Sequence, residues 1–418
     1  MEVTVVQSPA VGSDGTVYIG TGLVFAGPSS DVMYAIRSDG TLKWKRKLGR
    51  AVHSSVALDG QDNLHFIAGD AEDPDRMNAV LISLDSSGNR RWRSERIGWQ
   101  APVPNTGFTP AIAANGTIYA CGLYSLYAFD RNGKRKWRYD FPLRDNCMES
   151  GIVTTGSHHS GPTVGADGTI YVNTQAGGHG TETVEGGVFA FRPNGTLKWR
   201  THDLGGTAAP IIGADGTIYS AVGRYDDPED PDDKLRASKE AKILAIDPKD
   251  GTLKWSVVTR LWVEASPSIG PDGTLYAGTT HHPLNVPAWF YAISPTGRIK
   301  WKYDTYGDVK DLPPAKINPP DIYNSPAVDS NGVIYFGNEV GLLYAMSPRG
   351  KVAWMDNDIW SLHDQGPALA GDGTLYVATH SILGLIALST GSRGLADSPW
   401  PKFRRNNANT GNAGVPRK

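Results

Sequence analysis

The chain has 418 residues, of which 39% are hydrophobic and 20% are charged, and its formal net charge is −2. This balance excludes a protein that binds nucleic acid through a global positive field. No run of eighteen apolar residues occurs, so no membrane-spanning helix is predicted. The first residues, Met1–Val6, have neither the pattern of a signal peptide nor a lipid-attachment cysteine. From them we expect either a cytosolic protein or a shortened form of an exported one.

A repeating unit of four short apolar segments accounts for almost the whole chain. It is clearest at Ser266–Trp301, where segments rich in aromatic and β-branched residues are separated by Asp272-Gly273 and Thr296-Gly297. Short segments of this composition favour strands, and glycine permits the positive φ of tight hairpins. Eight such units follow one another, at about 8–49, 54–98, 109–141, 160–205, 208–259, 265–305, 324–358 and 366–405.

Each unit predicts a four-stranded antiparallel meander, with strands a to d in chain order. One such sheet buries little surface, so neighbouring units must pack against each other. Radial packing gives a β-propeller. We therefore predict a single all-β domain over 1–418, an eight-bladed β-propeller with four-stranded antiparallel blades. An open solenoid is the alternative, but it would leave its end sheets uncovered.

A tryptophan near the end of each unit is predicted to dock between neighbouring blades. A terminal segment must also close the ring as the outer strand of the eighth blade, and both Val3–Val6 and Trp400–Arg405 are candidates. We predict that Trp400 takes the eighth docking position and that the N-terminal strand pairs nearby. The predicted docking residues are Trp44, Trp92, Trp137, Trp199, Trp255, Trp301, Trp354 and Trp400.

The segment Ala245–Trp255 resembles the tryptophan-docking repeat of the PQQ-like (quinoprotein-type) β-propellers. Alanine is first, glycine seventh and tryptophan eleventh, and five other units carry the pattern one residue shorter. The tail Ser398–Gly411 also resembles a segment of bacterial members of that superfamily. The resemblance is to propellers of the outer-membrane-assembly type, which implies a bacterial protein outside the cytoplasm, although a cytoplasmic one is not excluded.

True quinoprotein dehydrogenases of this superfamily hold PQQ and calcium over the channel, often beside an adjacent cysteine pair. The two cysteines here, Cys121 and Cys147, are separated by 25 residues, and no Cys-x-x-Cys-His motif for haem attachment occurs. We therefore expect no PQQ cofactor. Topology places both cysteines on one face of unit 3, so a disulfide and two free thiols both remain open.

The two faces of the predicted propeller differ in their loops. The a–b and c–d turns share one face and are short, whereas the b–c loops and d–a connections share the other face and are long. Functional residues concentrate on loops above a rigid scaffold. Nine of the ten histidines map to this long-loop face or its rim, and the exception, His65, is predicted to lie within a strand.

The candidate site is the ring of residues just before each strand a, because strand a lines the channel. Polar groups that converge over a concave mouth are the usual site hypothesis, and Arg224 and Arg260 from neighbouring loops would reach an anionic ligand. Several His, Asp and Glu side chains would alternatively hold a divalent metal such as Ca or Zn, or the ring would line a water-filled channel. The ring comprises Gln7, His53, Phe108, His158, His159, Thr207, Glu264, Tyr323, Asn324, His363, Asp364 and Gln365.

Two classes of function fit this ring. The first is a non-catalytic, monomeric binding or scaffold propeller that presents its long-loop face to a protein or glycan. The second is an enzyme at the channel mouth, most concretely a polysaccharide lyase acting on uronic-acid glycans. His53, His159, His363 and Tyr323 are then the candidate catalytic residues, since such lyases abstract a proton with His or Tyr. A PQQ-dependent dehydrogenase is the least favoured reading.

Overall fold

The computed structural model describes residues 7–21, 31–52, 54–71, 78–97, 109–122, 125–142, 161–174, 186–202, 205–223, 241–280, 288–309, 320–357, 366–379 and 384–414. These residues form eight antiparallel sheets, and the prediction of an eight-bladed β-propeller is confirmed. Blades 1 to 4 contain β1 (Ala10–Val11), β2 (Val17–Gly20), β3 (Val32–Ile36), β4 (Leu42–Lys47); β5 (Ala57–Leu58), β6 (Leu64–Gly69), β7 (Ala79–Leu84), β8 (Arg90–Arg96); β9 (Ala111–Ile112), β10 (Ile118–Cys121), β11 (Ser125–Phe129), β12 (Arg135–Asp140); and β13 (Thr163–Val164), β14 (Ile170–Thr174), β15 (Gly187–Phe191), β16 (Leu197–Arg200).

Blades 5 to 8 continue the same order. They contain β17 (Ile211–Ile212), β18 (Ile218–Val222), β19 (Lys242–Ile246), β20 (Leu253–Val258); β21 (Ser268–Ile269), β22 (Leu275–Gly278), β23 (Trp289–Ile293), β24 (Ile299–Asp304); β25 (Ala327–Val328), β26 (Ile334–Gly337), β27 (Leu343–Met346), β28 (Val352–Asp356); and β29 (Ala368–Leu369), β30 (Thr374–Ala378), β31 (Leu385–Ser389). A single 3-10 turn, Tyr306–Asp308, is the helical structure within the described ranges. No described helix is long and apolar enough to cross a membrane.

In blades 2 to 7, the inner three strands are largely buried and the outer one is largely exposed or half-buried. In blade 6, β21 to β23 are buried almost throughout, while most of β24 is exposed or half-buried. The a–b turn is set by sequence: the backbone N–H of Thr274 donates to Asp272 Oδ1 at 3.1 Å, and Gly273 has a φ of +80°. An Asp side chain that accepts from the backbone two residues later favours such a turn.

Six of the predicted tryptophans dock on the next blade. The indole N–H of Trp199, for example, donates to Pro248 O at 3.0 Å in the c–d turn of blade 5. A Cβ added to Gly251 in that turn would lie 2.7 Å from the Trp199 ring, so glycine is required there both for its φ of +80° and for close approach. The equivalent bonds run from Trp44 to Ser86, Trp92 to Arg131, Trp137 to Pro193, Trp255 to Pro295 and Trp301 to Pro348.

Trp400 does not occupy an eighth docking position. Its backbone carbonyl accepts from the N–H of Ile269 at 2.7 Å, which places it against the innermost strand of blade 6, and its side chain is buried. The glycine where the eighth tryptophan would dock, Gly40, has no described atom within 4 Å of an added Cβ. Pro399 and Pro401 flank Trp400 and lack the N–H groups that an outer strand needs. Blade 8 has three strands among the described residues, and Val3–Val6 lies outside them.

The C-terminal residues instead cross the axis of the propeller. The second residue of six innermost strands donates its N–H to a tail carbonyl at 2.7–3.0 Å. These residues lie next to the short a–b turns, so the tail occupies the short-turn end of the channel. The donor–acceptor pairs are Val11–Asn407, Leu58–Ala408, Ile112–Thr410, Val164–Gly411, Ile269–Trp400 and Val328–Pro401.

Candidate functional site

The predicted ring at the channel mouth is only partly described. Thr207 and Glu264 lie before the inner strands of blades 5 and 6, and the Thr207 hydroxyl donates to Glu264 O at 3.5 Å. Arg260 is exposed on the connection into blade 6 and has a φ of +65°. Gln7, Tyr323 and Asn324 are also described. The remaining predicted members, His53, Phe108, His158, His159, Arg224, His363, Asp364 and Gln365, lie outside the described residues.

Two amides of the ring belong to the framework of the propeller. Asn324 is buried, and its side chain donates to Gly337 O and accepts from Gly337 N, both at 2.9 Å. Gln7 is buried as well and donates to Val52 O at 2.7 Å. The Asn324 amide therefore fixes the entry into blade 7, and in this arrangement it is not available to a ligand as predicted.

Tyr323 is the centre of an acidic group of side chains at the mouth. Its hydroxyl donates to Asp321 Oδ2 at 3.1 Å. Burial, followed by the charges of Asp321, Glu264 and Glu339, raises the pKa of Tyr323 far above its usual value. The phenol therefore stays protonated at neutral pH. It can donate a hydrogen bond, but it is poorly suited to the role of general base that the lyase hypothesis assigns to it.

A second tyrosine–carboxylate group lies at the junction of blades 6 and 7. Asp308 accepts from the Tyr303 hydroxyl at 2.9 Å and from the Tyr344 hydroxyl at 3.1 Å. Burial and the Asp308 carboxylate raise the pKa of both phenols. Asp308 follows strand d of blade 6, so this group belongs to the long-loop face. We name the two groups together the acidic rim: Glu264, Tyr303, Asp308, Asp321, Tyr323, Glu339 and Tyr344, of which Asp321 and Tyr344 are buried and the other five are half-buried.

The carboxylates of the acidic rim do not converge as metal ligands. Across the described ranges, no group of three or more His, Cys, Asp or Glu side chains is placed to hold a metal ion. Of the histidines, His202 is exposed, while His65 is buried beside Asp59 with its Nε2 at 3.3 Å from Asp59 Oδ2. The other eight histidines and Cys147 lie outside the described residues, and Cys121 is buried at the end of β10.

Sequence reasoning missed two features. The first is a ring in strand b of blades 1 to 7, a tyrosine in six of them and His65 in blade 2, which packs against the strand-d tryptophan of the same blade; Tyr171 and Trp199, for example, have ring centroids 5.8 Å apart. Its signal was visible in the repeated Thr-Ile-Tyr and Thr-Leu-Tyr segments. The second is the tail across the channel, whose only signal was a polar segment rich in Arg and Asn beyond the last blade.

Comparisons with known proteins agree with this architecture. A family model described as "Outer membrane protein assembly factor BamB" matches residues 4–221 and, in a second overlapping match, residues 124–394. A search of curated sequences finds no significant match. These two matches of the family model span more than half of the chain.

Solved structures share the fold at low sequence identity. BamB from Moraxella catarrhalis aligns with a TM-score of 0.61 and 13% identity over 93% of this chain and 98% of that one. The quinohemoprotein alcohol dehydrogenase from Comamonas testosteroni aligns with a TM-score of 0.60 and 16% identity, over 90% of this chain and 71% of that one. The prediction of a PQQ-like propeller is confirmed, and the chain belongs to the family of outer membrane protein assembly factor BamB.

Proposed function

We propose that this protein is a non-catalytic binding propeller that presents the acidic rim on its long-loop face to a basic segment of a partner protein. The observation that carries the proposal is the clustering of Asp321, Glu264 and Glu339 around Tyr323. Carboxylates attract Lys and Arg side chains, and tyrosine supplies a rigid, amphipathic contact surface of the kind enriched in protein interfaces.

The electrostatics favour binding over proton abstraction. A phenol with a raised pKa keeps its proton, so it is a hydrogen-bond donor that persists through the neutral range. Carboxylates at the mouth repel the uronate groups of acidic glycans, which disfavours the lyase alternative for this part of the face. A basic peptide has the complementary charge, and its association should weaken as salt screens the interaction.

The family context supports a role in handling other proteins. The matching family is described as an outer membrane protein assembly factor. This relationship supports our proposal that the protein acts outside the cytoplasm of a bacterium, as a monomeric scaffold. The channel is occupied by the tail near the short turns, which leaves the long-loop face as the end through which a partner would reach the mouth.

A peptide-binding experiment tests the proposal. An array of peptides rich in Lys and Arg, with composition-matched acidic peptides, is probed with the wild type and with Glu339→Lys. We expect the wild type to select basic peptides and Glu339→Lys to weaken that binding about tenfold, because a close charge pair becomes repulsive. Asp39→Lys is the control, since Asp39 is exposed at a c–d turn on the opposite face.

Two outcomes would contradict the proposal. One is equal binding by the wild type and Glu339→Lys. The other is the release of an unsaturated product, seen by its ultraviolet absorbance, when the wild type is incubated with uronic-acid polysaccharides. The second result would establish the lyase alternative instead.

A further inference from the structure

Two buried basic side chains lie at the axis of the propeller. Lys402 and Arg404 belong to the C-terminal tail and are 0% and 1% exposed. Buried Lys and Arg side chains are rare unless they are paired with an opposite charge. They therefore call for a physical explanation that the tail's backbone bonds to the blades do not provide.

The described partners of both side chains are neutral. Lys402 Nζ donates to Asn409 Oδ1 at 2.6 Å and to Asn406 O at 3.3 Å. Arg404 Nη2 donates to Pro162 O at 2.6 Å and to Pro110 O at 3.1 Å, in the residues just before the inner strands of blades 4 and 3. No carboxylate within the described ranges forms an ion pair with either side chain.

Part of the guanidinium has no acceptor. The Nε and Nη1 nitrogens of Arg404 are buried and find no hydrogen-bond partner among the described residues. Buried donors in native proteins almost always have a partner. Water would satisfy these N–H groups, but it would leave the positive charges of Arg404 and Lys402 uncompensated in a site of low dielectric constant.

The two cations also repel each other. Burial, and then the charge of Arg404, lowers the pKa of Lys402 to about 7, and burial lowers the pKa of Arg404 to about 9. The guanidinium therefore remains charged at neutral pH, so deprotonation of Lys402 alone would not remove the buried charge. A bound anion would compensate it, and it would also favour the protonated form of Lys402.

We propose that the channel binds a small inorganic anion, such as chloride, against one of the two unpartnered nitrogens of Arg404, Nε or Nη1, and close to the Lys402 ammonium. The packing favours a small ion, because the backbone of Gly411 lies directly against the Arg404 guanidinium and both side chains are fully buried. The anion would tie the tail to the inner strands of blades 3 and 4. This site is independent of the binding function proposed for the acidic rim.

Crystals of the wild type grown or soaked in sodium bromide give the direct test. We expect an anomalous bromide peak within about 3.5 Å of Arg404 Nε or Nη1, the range of a charge-assisted contact to a halide. Absence of such a peak while surface bromides are visible would overturn the proposal. So would the side chain of an Asp or Glu of this chain in that position, since the counter-charge would then be internal.

Thermal unfolding gives an independent readout in solution. Chloride replaces gluconate at constant ionic strength, and we expect the Tm of the wild type to rise by about 2 °C when chloride reaches ten times its Kd. Arg404→Gln should abolish the rise, whereas the control Arg349→Gln, in a c–d turn, should keep it. A chloride response that Arg404→Gln retains would refute the site. If Arg404→Gln does not fold, the bromide experiment on the wild type decides.

Discussion

Trp199→Ala tests whether inter-blade docking is a main source of stability. Trp199 is 8% exposed, packs against Gly251 and Tyr171, and donates to Pro248 O. A buried aromatic side chain covers about 150–250 Å², which at about 25 cal/mol per Å² amounts to about 4–6 kcal/mol. Partial collapse of the cavity lowers this figure, so we expect a loss of about 3–5 kcal/mol in the free energy of unfolding.

Trp354→Ala is the matched control. Trp354 occupies the same position in blade 7 but is 37% exposed, and no described atom lies within 4 Å of an added Cβ at Gly391, at the end of β31 in blade 8. We expect its loss to be about 1–2 kcal/mol, because less apolar surface is removed. Urea denaturation followed by circular dichroism measures both variants, with m-values checked for change.

Trp199→Phe separates the ring from the hydrogen bond. It keeps most of the packing and removes the indole N–H, so its loss should fall between that of Trp199→Ala and the wild type. Equal losses of unfolding free energy for Trp199→Ala and Trp354→Ala would show that docking on the next blade is not a main source of stability, because the two residues share a strand position and differ in docking.

Three further predictions concern a turn, a buried histidine and the tail. Gly251→Ala and Gly40→Ala both force alanine to a φ near +80°, at a cost of about 1–2 kcal/mol. Only the alanine at position 251 meets an indole ring. In urea denaturation, Gly251→Ala should therefore lose at least about 1 kcal/mol more of the free energy of unfolding than Gly40→Ala. Burial lowers the pKa of His65, so below about pH 6.5 the unfolded state binds the proton in preference to the folded state, and the protein loses stability as the pH decreases. In thermal scans from pH 7.5 to 5, His65→Tyr should remove this loss. A wild type that shows no such loss would contradict the role given to His65. Asn409→Ala removes the hydrogen bonds that the Asn409 amide donates to Pro9 O and Val56 O. Urea denaturation should show a loss of about 2 kcal/mol in the free energy of unfolding. The control Asn132→Ala, at an exposed position, should lose less than about 0.5 kcal/mol.

The fold could be predicted from the sequence because local and repeated signals agree. Each docking tryptophan pairs across the hairpin with a small residue, as Ala245 does with Trp255, and the c–d glycine lies at a fixed short distance before it. A local rule that recurs in successive units fixes both the strands and their neighbours. The register of seven blades was therefore accessible without any knowledge of long-range contacts.

The tail could not be predicted in the same way. Its partners are backbone N–H groups of blades 1, 2, 3, 4, 6 and 7, and a backbone donor leaves no mark on the sequence. The repeat predicts an eighth docking tryptophan near the end of the unit at 366–405, and Trp400 lies there. The prolines on both sides of Trp400 are the sequence signal against a place in a strand, because they lack the N–H groups that a ladder needs.

The candidate site, too, could be predicted from the sequence only in part. Residues just before each inner strand were identified from topology, but topology does not say which side chains reach the mouth and which bond to the framework. Asn324 is bonded to Gly337, whereas Tyr323, its neighbour, faces three carboxylates that are distant from one another in sequence. Neighbouring side chains point in different directions, so Asn324 bonds to the framework while the adjacent Tyr323 lies at the mouth. The grouping of Glu264, Asp321 and Glu339 arises from the closeness of blades 6 and 7, and it becomes visible only when the ring is assembled.

The two ends of the channel therefore differ in structure and in the groups that they contain. At the short-turn end, the tail satisfies inner-strand N–H groups in six blades, so these donors do not require water or a ligand. At the long-loop end, the acidic rim places several carboxylates around phenols that keep their protons. The partner that we propose would therefore approach from the second end, where the carboxylates of the acidic rim lie in blades 6 and 7. This asymmetry is the physical reason to expect a basic protein segment at the mouth and a small anion, shielded from that segment, at the axis.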